Sequence, residues 1–183
     1  EVILGVPNAS MIFTLWNHFN EHLPVDGSIV VEDLSASTSI LSLQGPSSPL
    51  ILSQVLGEDN VVPSFSGRAI VANPLGIKGW IQGTGYTGER GFEIFLSNDD
   101  SPQLWRELLK FGIPNGMVPV GLGARDTLRL ERGFLLSGQD FLWPGIGDCS
   151  EELPAGFLAR NSWQTNVPFG LDMGHDFLGK SAL

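Results

Sequence analysis

The segment 83–96 places the strongest constraint on the fold of this 183-residue chain. Glycine occupies positions 83, 85, 88 and 91, and the residues that follow alternate in character from Phe92 to Leu96. Alternation with a period of two predicts a strand. The glycine spacing matches a dinucleotide-binding fingerprint, but that fingerprint requires a helix where this segment has a strand. We therefore predict a hairpin connection whose glycines adopt positive φ or allow close backbone approach.

Glu93 is the most informative residue of this predicted strand. Its side chain lies on the face opposite Phe92, Ile94 and Leu96. A carboxylate in a largely buried strand needs hydrogen-bonding partners, because burying it alone is costly. Two parallel N–H donors, such as those on the edge of a pterin ring, would satisfy it. A salt bridge to an arginine and an exposed strand face are the structural alternatives.

A second informative segment, 121–131, begins with two glycines and continues as a predicted helix. Arg125, Arg129 and Arg132 are spaced i, i+4, i+7 and therefore share one helical face. The chain has only 10 lysines and arginines and a net charge of −10, so this face is a local positive area. Such a face suits a ligand carboxylate bound in bidentate fashion. Internal pairing with Asp126 or Glu131 is the alternative.

The remaining pattern predicts an α+β fold with mainly antiparallel sheets and packed helices. Apolar and alternating runs predict strands over 2–6, 28–33, 37–44, 68–72, 78–82 and 92–96. Helical spacing predicts helices over roughly 10–22, 46–56, 101–109 and 120–132. Pro46 is placed for the first turn of the second helix. The segment 134–174 is rich in glycine, proline, tryptophan and asparagine, which indicates irregular, loop-rich structure.

Composition excludes several classes of function. The hydrophobic content of 42% and charged content of 16% are typical of a globular chain. The net charge of −10 argues against nucleic acid or an anionic membrane as a partner. No apolar run approaches the about 20 residues of a membrane span. Cys149 is the single cysteine, so an internal disulfide and a cysteine zinc site are excluded, and we expect a reducing compartment.

One motif suggests a metal but lacks a complete ligand set. The segment 18–22 reads His-Phe-Asn-Glu-His and matches the H-x-x-E-H pattern of a class of zinc peptidases. It lies at a predicted helix end just before Pro24, and the sequence supplies no evident third ligand. We interpret His18 and His22 as a solvated helix terminus and predict no metal site.

The glycine-rich segments resemble the T-protein of the glycine cleavage system, a tetrahydrofolate-dependent aminomethyltransferase. The resemblance rests on Gly-Tyr-Thr-Gly-Glu at 85–89, Gly-Phe-Glu-Ile at 91–94 and the segment 121–131. Leu-Gln-Gly-Pro at 43–46 and the segment 177–183 add weaker support in the same order. The likeness spans almost the whole chain. It implies a folate-binding T-protein-like fold, with two interleaved sheet-and-helix units around a central folate channel.

The resemblance also implies roles for four residues. Glu93 would bind the pterin edge of tetrahydrofolate, and Arg125 its glutamate tail. Tyr86 would line the pocket, and Asn8 would lie near the reactive pterin nitrogen. The family reaction transfers a one-carbon unit from the aminomethyl-lipoyl arm of the H-protein to tetrahydrofolate and releases ammonia. The implied partner is therefore the lipoylated H-protein, in the cytoplasm or, in a eukaryote, the mitochondrial matrix.

The resemblance further implies that residues 1–183 are the folate-binding portion of a longer protein. The catalytic aspartate of the family precedes the segment that matches residues 1–6, and the C-terminal barrel is expected after Leu183. We therefore assign no catalytic residue in this chain and expect no activity from the chain alone.

Two departures leave alternatives open. After Gly133 the family pattern runs to Tyr-Gly-Asn/Gln-Asp/Glu, whereas positions 137–140 read Ser-Gly-Gln-Asp. A related folate-binding protein that supports iron–sulfur cluster assembly has Lys-Gly-Cys where positions 132–134 read Arg-Gly-Phe. The alternatives are a non-catalytic folate-binding module and a folate-dependent demethylase with another one-carbon donor.

Overall fold

The computed structural model describes residues 2–142, 159–166 and 172–182. These residues form two compact units. One unit is Phe13–Arg132 and contains the sheet. The other combines the described residues up to Ile12 with those from Gly133 onward.

A four-stranded antiparallel sheet organises the larger unit. Its strands are β1 (Thr38–Gln44), β2 (Gly67–Ala69), β3 (Gly79–Gln82) and β4 (Gly91–Ser97). Their order across the sheet is β1-β4-β3-β2, so β4 is paired on both edges. The segment 83–90 joins β3 to β4, which confirms the predicted hairpin connection. The fold is α+β, as the sequence predicts.

Two helices cover one face of this sheet and enclose the core. They are α2 (Ser48–Leu56) and α3 (Ser101–Gly112). Phe92, Ile94 and Leu96 of β4 are buried against them. Other members of the same buried cluster are Leu43, Ile51, Leu52, Val55, Leu56, Ile81, Leu104 and Leu108. Because side chains alternate along a strand, Glu93 and Phe95 lie on the opposite face, as predicted for Glu93.

The helix predicted after Gly45 starts later than its proline suggested. It begins at Ser48, so Pro49, and not Pro46, lies in its first turn. Proline is favoured there because the first turn leaves its N–H groups without helical acceptors. The last residue of the helix is Leu56, and Gly57 caps it with a φ of +89°, a value that glycine adopts at low cost.

Two helices make few contacts with the sheet. They are α1 (Ile12–Glu21), which buries none of its residues, and α4 (Leu122–Arg132), in which Arg129 is buried. Both agree with the predicted helices. No described helix is both long and apolar enough to cross a membrane.

Two predicted strands, over 2–6 and 28–33, are wrong. The structure has no regular backbone pairing at these positions, and most of their side chains are exposed. An apolar run forms a strand only when another strand pairs with it, which sequence periodicity does not report. The strand predicted over 68–72 is shorter, because the Val71 N–H donates to Asn60 Oδ1 at 3.0 Å and not to a strand.

The predicted loop-rich segment 134–174 is described only in part. Residues 143–158 and 167–171 lie outside the described residues. The described remainder holds isolated bridges, Ser137 with Phe141 and Leu142 with Ala159, and turns over 162–166.

Asn60 offers a test of how burial sets the value of one hydrogen bond. Its Nδ2 donates to the Leu56 carbonyl at 2.7 Å, and the side chain is fully buried. Asn115 makes the same bond to the Phe111 carbonyl at 2.7 Å but is exposed. We predict that Asn60→Ala lowers the free energy of unfolding by about 1–3 kcal/mol, because it leaves buried polar groups unpaired. Asn115→Ala should change it by less than about 0.5 kcal/mol.

Urea unfolding of the two variants and the wild type measures both changes. Equal losses in the two variants would show that burial does not set the value of this bond.

Candidate functional site

The carboxylate of Glu93 is held by neutral donors on the sheet face opposite the core. The Gln82 Nε2 donates to Glu93 Oε2 at 3.2 Å, and the Thr84 hydroxyl donates to the same oxygen. Ser42 of β1 is the register partner of Glu93 on its other side. No described residue donates a hydrogen bond to Glu93 Oε1, and no described cation pairs with this carboxylate. The salt-bridge alternative for Glu93 therefore fails within the described chain, and one oxygen stays available.

Gln44 fixes the loop that carries Thr84. Its Nε2 lies within hydrogen-bonding distance of the Thr84 carbonyl, at 3.1 Å, and of the Phe92 carbonyl, at 3.2 Å. A Cβ at Gly85 or Gly91 would overlap the Gln44 amide, so both glycines are needed for this close approach. The far end of the loop is held at the Arg90 carbonyl, which accepts from the Ser48 hydroxyl at 2.9 Å. The loop is thus anchored to β1 near its first residues and to α2 near its last.

Tyr86 and Arg125 lie together, one on this loop and one on α4. The guanidinium carbon of Arg125 is 4.3 Å from the centroid of the Tyr86 ring, which is the geometry of a cation–π contact. The Arg125 side chain is exposed, and no carboxylate of the described chain pairs with it. Its N–H groups are therefore placed beside an aromatic ring and remain open to an anion.

The three arginines of α4 have different roles. Arg129 is fully buried, and its Nε donates to Asp126 Oδ1 at 2.7 Å. Arg132 passes its aliphatic stem over Gly88, where a Cβ would overlap it and where φ is +76°. Both alternatives predicted for this face therefore occur. Arg129 pairs internally with Asp126, whereas Arg125 has no described carboxylate partner.

Asn8 belongs to the other unit. Its side chain is exposed and makes no capping hydrogen bond, while its carbonyl accepts from the Met11 N–H at 2.8 Å. Its suggested place near a pterin nitrogen stays a prediction.

The two histidines of the zinc-like motif interact locally. The His22 Nδ1 lies 2.7 Å from the His18 carbonyl oxygen, and the two rings are 4.4 Å apart. Groups of three or more metal-ligating side chains do not occur among the described residues.

Three site residues escaped sequence reasoning. Thr84 and Gln82 donate hydrogen bonds to Glu93, and Gln44 orients the loop that carries Thr84. The sequence contains a feature that could have drawn attention to each of these residues. Gln82 occurs in the predicted strand next to the glycine segment, Thr84 lies within that segment, and Gln44 lies in the Leu-Gln-Gly-Pro motif.

Comparison with known proteins gives one consistent result. The GCVT N-terminal domain family matches residues 2–142. An aminomethyltransferase from Chloroherpeton thalassium is 33% identical over 177 residues, which cover 97% of this chain and 44% of that protein. One from Prochlorococcus marinus is 38% identical over 188 residues, which cover 100% of this chain and 46% of that protein. The chain thus spans less than half the length of these relatives.

The family match covers most of the chain and includes both glycine-rich segments, all four strands and α4. The similarity to aminomethyltransferases runs across nearly the whole chain. The chain therefore belongs to the T-protein family of the glycine cleavage system, through its GCVT N-terminal domain.

Proposed function

We propose that this chain is the folate-binding part of a tetrahydrofolate-dependent aminomethyltransferase. The intact protein would transfer the one-carbon unit of the aminomethyl-lipoyl H-protein to tetrahydrofolate. The carbon–sulfur and carbon–nitrogen bonds of the aminomethyl group break, and the carbon bonds to N5 and N10 of tetrahydrofolate. The two protons displaced from these nitrogens leave with the lipoyl thiol and with ammonia. The products are 5,10-methylenetetrahydrofolate and the free lipoyl thiol. The family supports a location in the cytoplasm, or in the mitochondrial matrix of a eukaryote.

The observation that carries this proposal is the open oxygen of Glu93. Gln82 and Thr84 donate to Oε2 and hold the carboxylate in place, while Oε1 has no described donor. A pterin ring presents N3–H and a 2-amino group side by side, and a carboxylate can accept from both. A cationic partner is not required, because the neutral donors already orient the carboxylate.

Arg125 supports the other end of the same ligand. A guanidinium binds a carboxylate through two parallel N–H groups, and stacking on Tyr86 restricts its orientation. The residues present therefore fit tetrahydrofolate, with an acceptor for its ring edge and a cation for its glutamate tail. These residues bind and orient the acceptor. We assign the catalytic carboxylate to the part of the family sequence that precedes residue 1.

The proposal predicts a specific loss from Glu93→Gln in the full-length protein. The substitution keeps the shape of the side chain but replaces a carboxylate oxygen with an amide N–H group, which opposes the pterin donors. We expect tetrahydrofolate affinity to fall roughly 10- to 100-fold, the value of a charge-assisted hydrogen bond. Isothermal titration calorimetry measures this. Wild-type affinity would show that Glu93 does not bind the ring.

Arg125→Ala should weaken only the binding of the glutamate tail of tetrahydrofolate. We expect it to weaken tetrahydrofolate about 10-fold or more, because a charged hydrogen bond is lost. It should leave 6-methyltetrahydropterin, which has no tail, unaffected. Arg106→Ala, on the exposed face of α3, is the matched control. Equal effects of Arg125→Ala on both ligands would contradict the assignment.

The stacking contact gives a third prediction. Tyr86→Phe keeps a ring under Arg125, whereas Tyr86→Leu removes it. We expect the phenylalanine variant to bind tetrahydrofolate more tightly than the leucine variant, by about 2- to 5-fold for an exposed cation–π contact. Titration of both variants checks the order. The reverse order would show that the ring does not position Arg125.

Activity is tested on the full-length protein with aminomethylated H-protein and tetrahydrofolate. Release of ammonia with formation of 5,10-methylenetetrahydrofolate is the expected result. Tetrahydrofolate binding without this turnover would identify the non-catalytic folate-binding module. Turnover only with a methylated amine would identify the demethylase.

A further inference from the structure

The register of the sheet places two parallel rows of side chains on the face that carries Glu93. Residues opposite each other in antiparallel strands share a face. Ile40, Phe95 and Trp80 form an apolar row, and Ser42, Glu93 and Gln82 form a polar row beside it. The rows are two residues apart along each strand, or about 7 Å. This spacing suits a flat ring system that lies on one row and presents a polar edge to the other.

The apolar row is open to solvent in the described unit. Trp80, on the inner strand β3, is 38% exposed, and Ile40, on the edge strand β1, is 49% exposed. The helices α2 and α3 cover only the other face. Phe95, between the two, is 6% exposed and does not belong to the core cluster. Exposed apolar side chains grouped beside a charged group mark a binding surface.

Trp80 is accommodated by the absence of a side chain on the neighbouring strand. A Cβ at Gly67 of β2 would lie 2.9 Å from the indole Nε1 and 3.2 Å from Cε2. The indole therefore extends across β2 in a place that only glycine leaves open. The ring thus has a defined position over β2, on the same sheet face as Gln82 and Glu93.

The Gln82 amide has a defined orientation as well. A carboxylate accepts hydrogen bonds only, so Nε2, and not Oε1, faces Glu93. No donor among the described residues reaches Gln82 Oε1. Gln82 Oε1 is thus an available acceptor in the polar row that carries Glu93. A 2-amino group has two N–H bonds, and this pair of acceptors can take both.

We infer that Trp80 and Gln82 complete the pterin site, in addition to Glu93. Trp80 provides the surface on which the pterin ring stacks, and Gln82 Oε1 accepts the second hydrogen of the 2-amino group. This inference rests on the proposed function. It assigns ring recognition to β3 and β4 together and tail affinity to α4.

The test uses the full-length protein and tetrahydrofolate as the calorimetric probe. Trp80→Ala should weaken binding roughly 5- to 100-fold, the range for loss of a ring stacked on an aromatic side chain. Trp105→Ala, a half-exposed tryptophan on α3, is the control and should leave affinity unchanged. Trp80→Phe should recover most of the affinity, because it restores an aromatic surface. Binding of p-aminobenzoylglutamate, which lacks the ring, should not respond to any of these variants.

Gln82→Met removes the acceptor and keeps the length of the side chain. We expect a roughly 5- to 20-fold loss for tetrahydrofolate, the value of about one hydrogen bond that also orients Glu93. Gln103→Met on α3 is its control. A second variant perturbs the indole without changing Trp80. Gly67→Ala places a Cβ 2.9 Å from the indole Nε1, so the ring must shift, and affinity should fall in the same direction as in Trp80→Ala but by less.

The outcomes separate the two proposals. If the wild type binds tetrahydrofolate and Glu93→Gln weakens it, but Trp80→Ala and Gln82→Met match their controls, this inference is overturned and the proposed function stands. If the wild type does not bind tetrahydrofolate, both are overturned. Should Trp80→Ala fail to fold, Trp80→Phe against Trp80→Leu gives the same comparison, and equal affinities overturn the stacking role.

Discussion

The pairing of β4 on both edges is the constraint on which the rest of this structure depends. A strand held between β1 and β3 cannot rotate, so its alternate side chains face opposite ways throughout. Phe92, Ile94 and Leu96 are committed to the core, and Glu93 is thereby committed to the other face. A shift of one residue would place the carboxylate in the core and expose the three apolar side chains. Core stability and the position of the site therefore have one origin.

The glycine-rich loop shows how a short segment serves two neighbours. Gly85 and Gly91 allow the Gln44 amide to approach, and Gly88 allows Arg132 to cross. The loop then presents Thr84 to Glu93 on the sheet and Tyr86 to Arg125 on α4. A loop that presents side chains to two neighbours needs fixed ends, and the contacts to β1 and α2 supply them. The anchoring agrees with the general use of loops held by rigid elements for function.

The sequence predicts the features that depend on local periodicity, but it does not predict pairing between residues that are distant along the chain. The face of Glu93 and the hairpin before it follow from alternation and glycine placement, both visible in 83–96. The strands predicted over 2–6 and 28–33 failed because an apolar run does not reveal whether a partner strand exists. Helical spacing put Arg125 and Arg129 on one face, but it could not show that Asp126 pairs with only one of them. Gln44 was overlooked because its bonds join residues about 40 positions apart.

The approach of Gln44 to two glycines has a consequence for how this sequence can change over time. A side chain at position 85 or 91 would force the Gln44 amide to move, and a shorter residue at position 44 would release the Thr84 carbonyl. Substitutions at these three sites are therefore non-additive, since the cost of each depends on the residues at the other two. A replacement at position 85 or 91 should therefore cost less when the residue at position 44 is shorter than glutamine. The three positions are coupled in stability, although the chain separates Gln44 from the two glycines by more than forty positions.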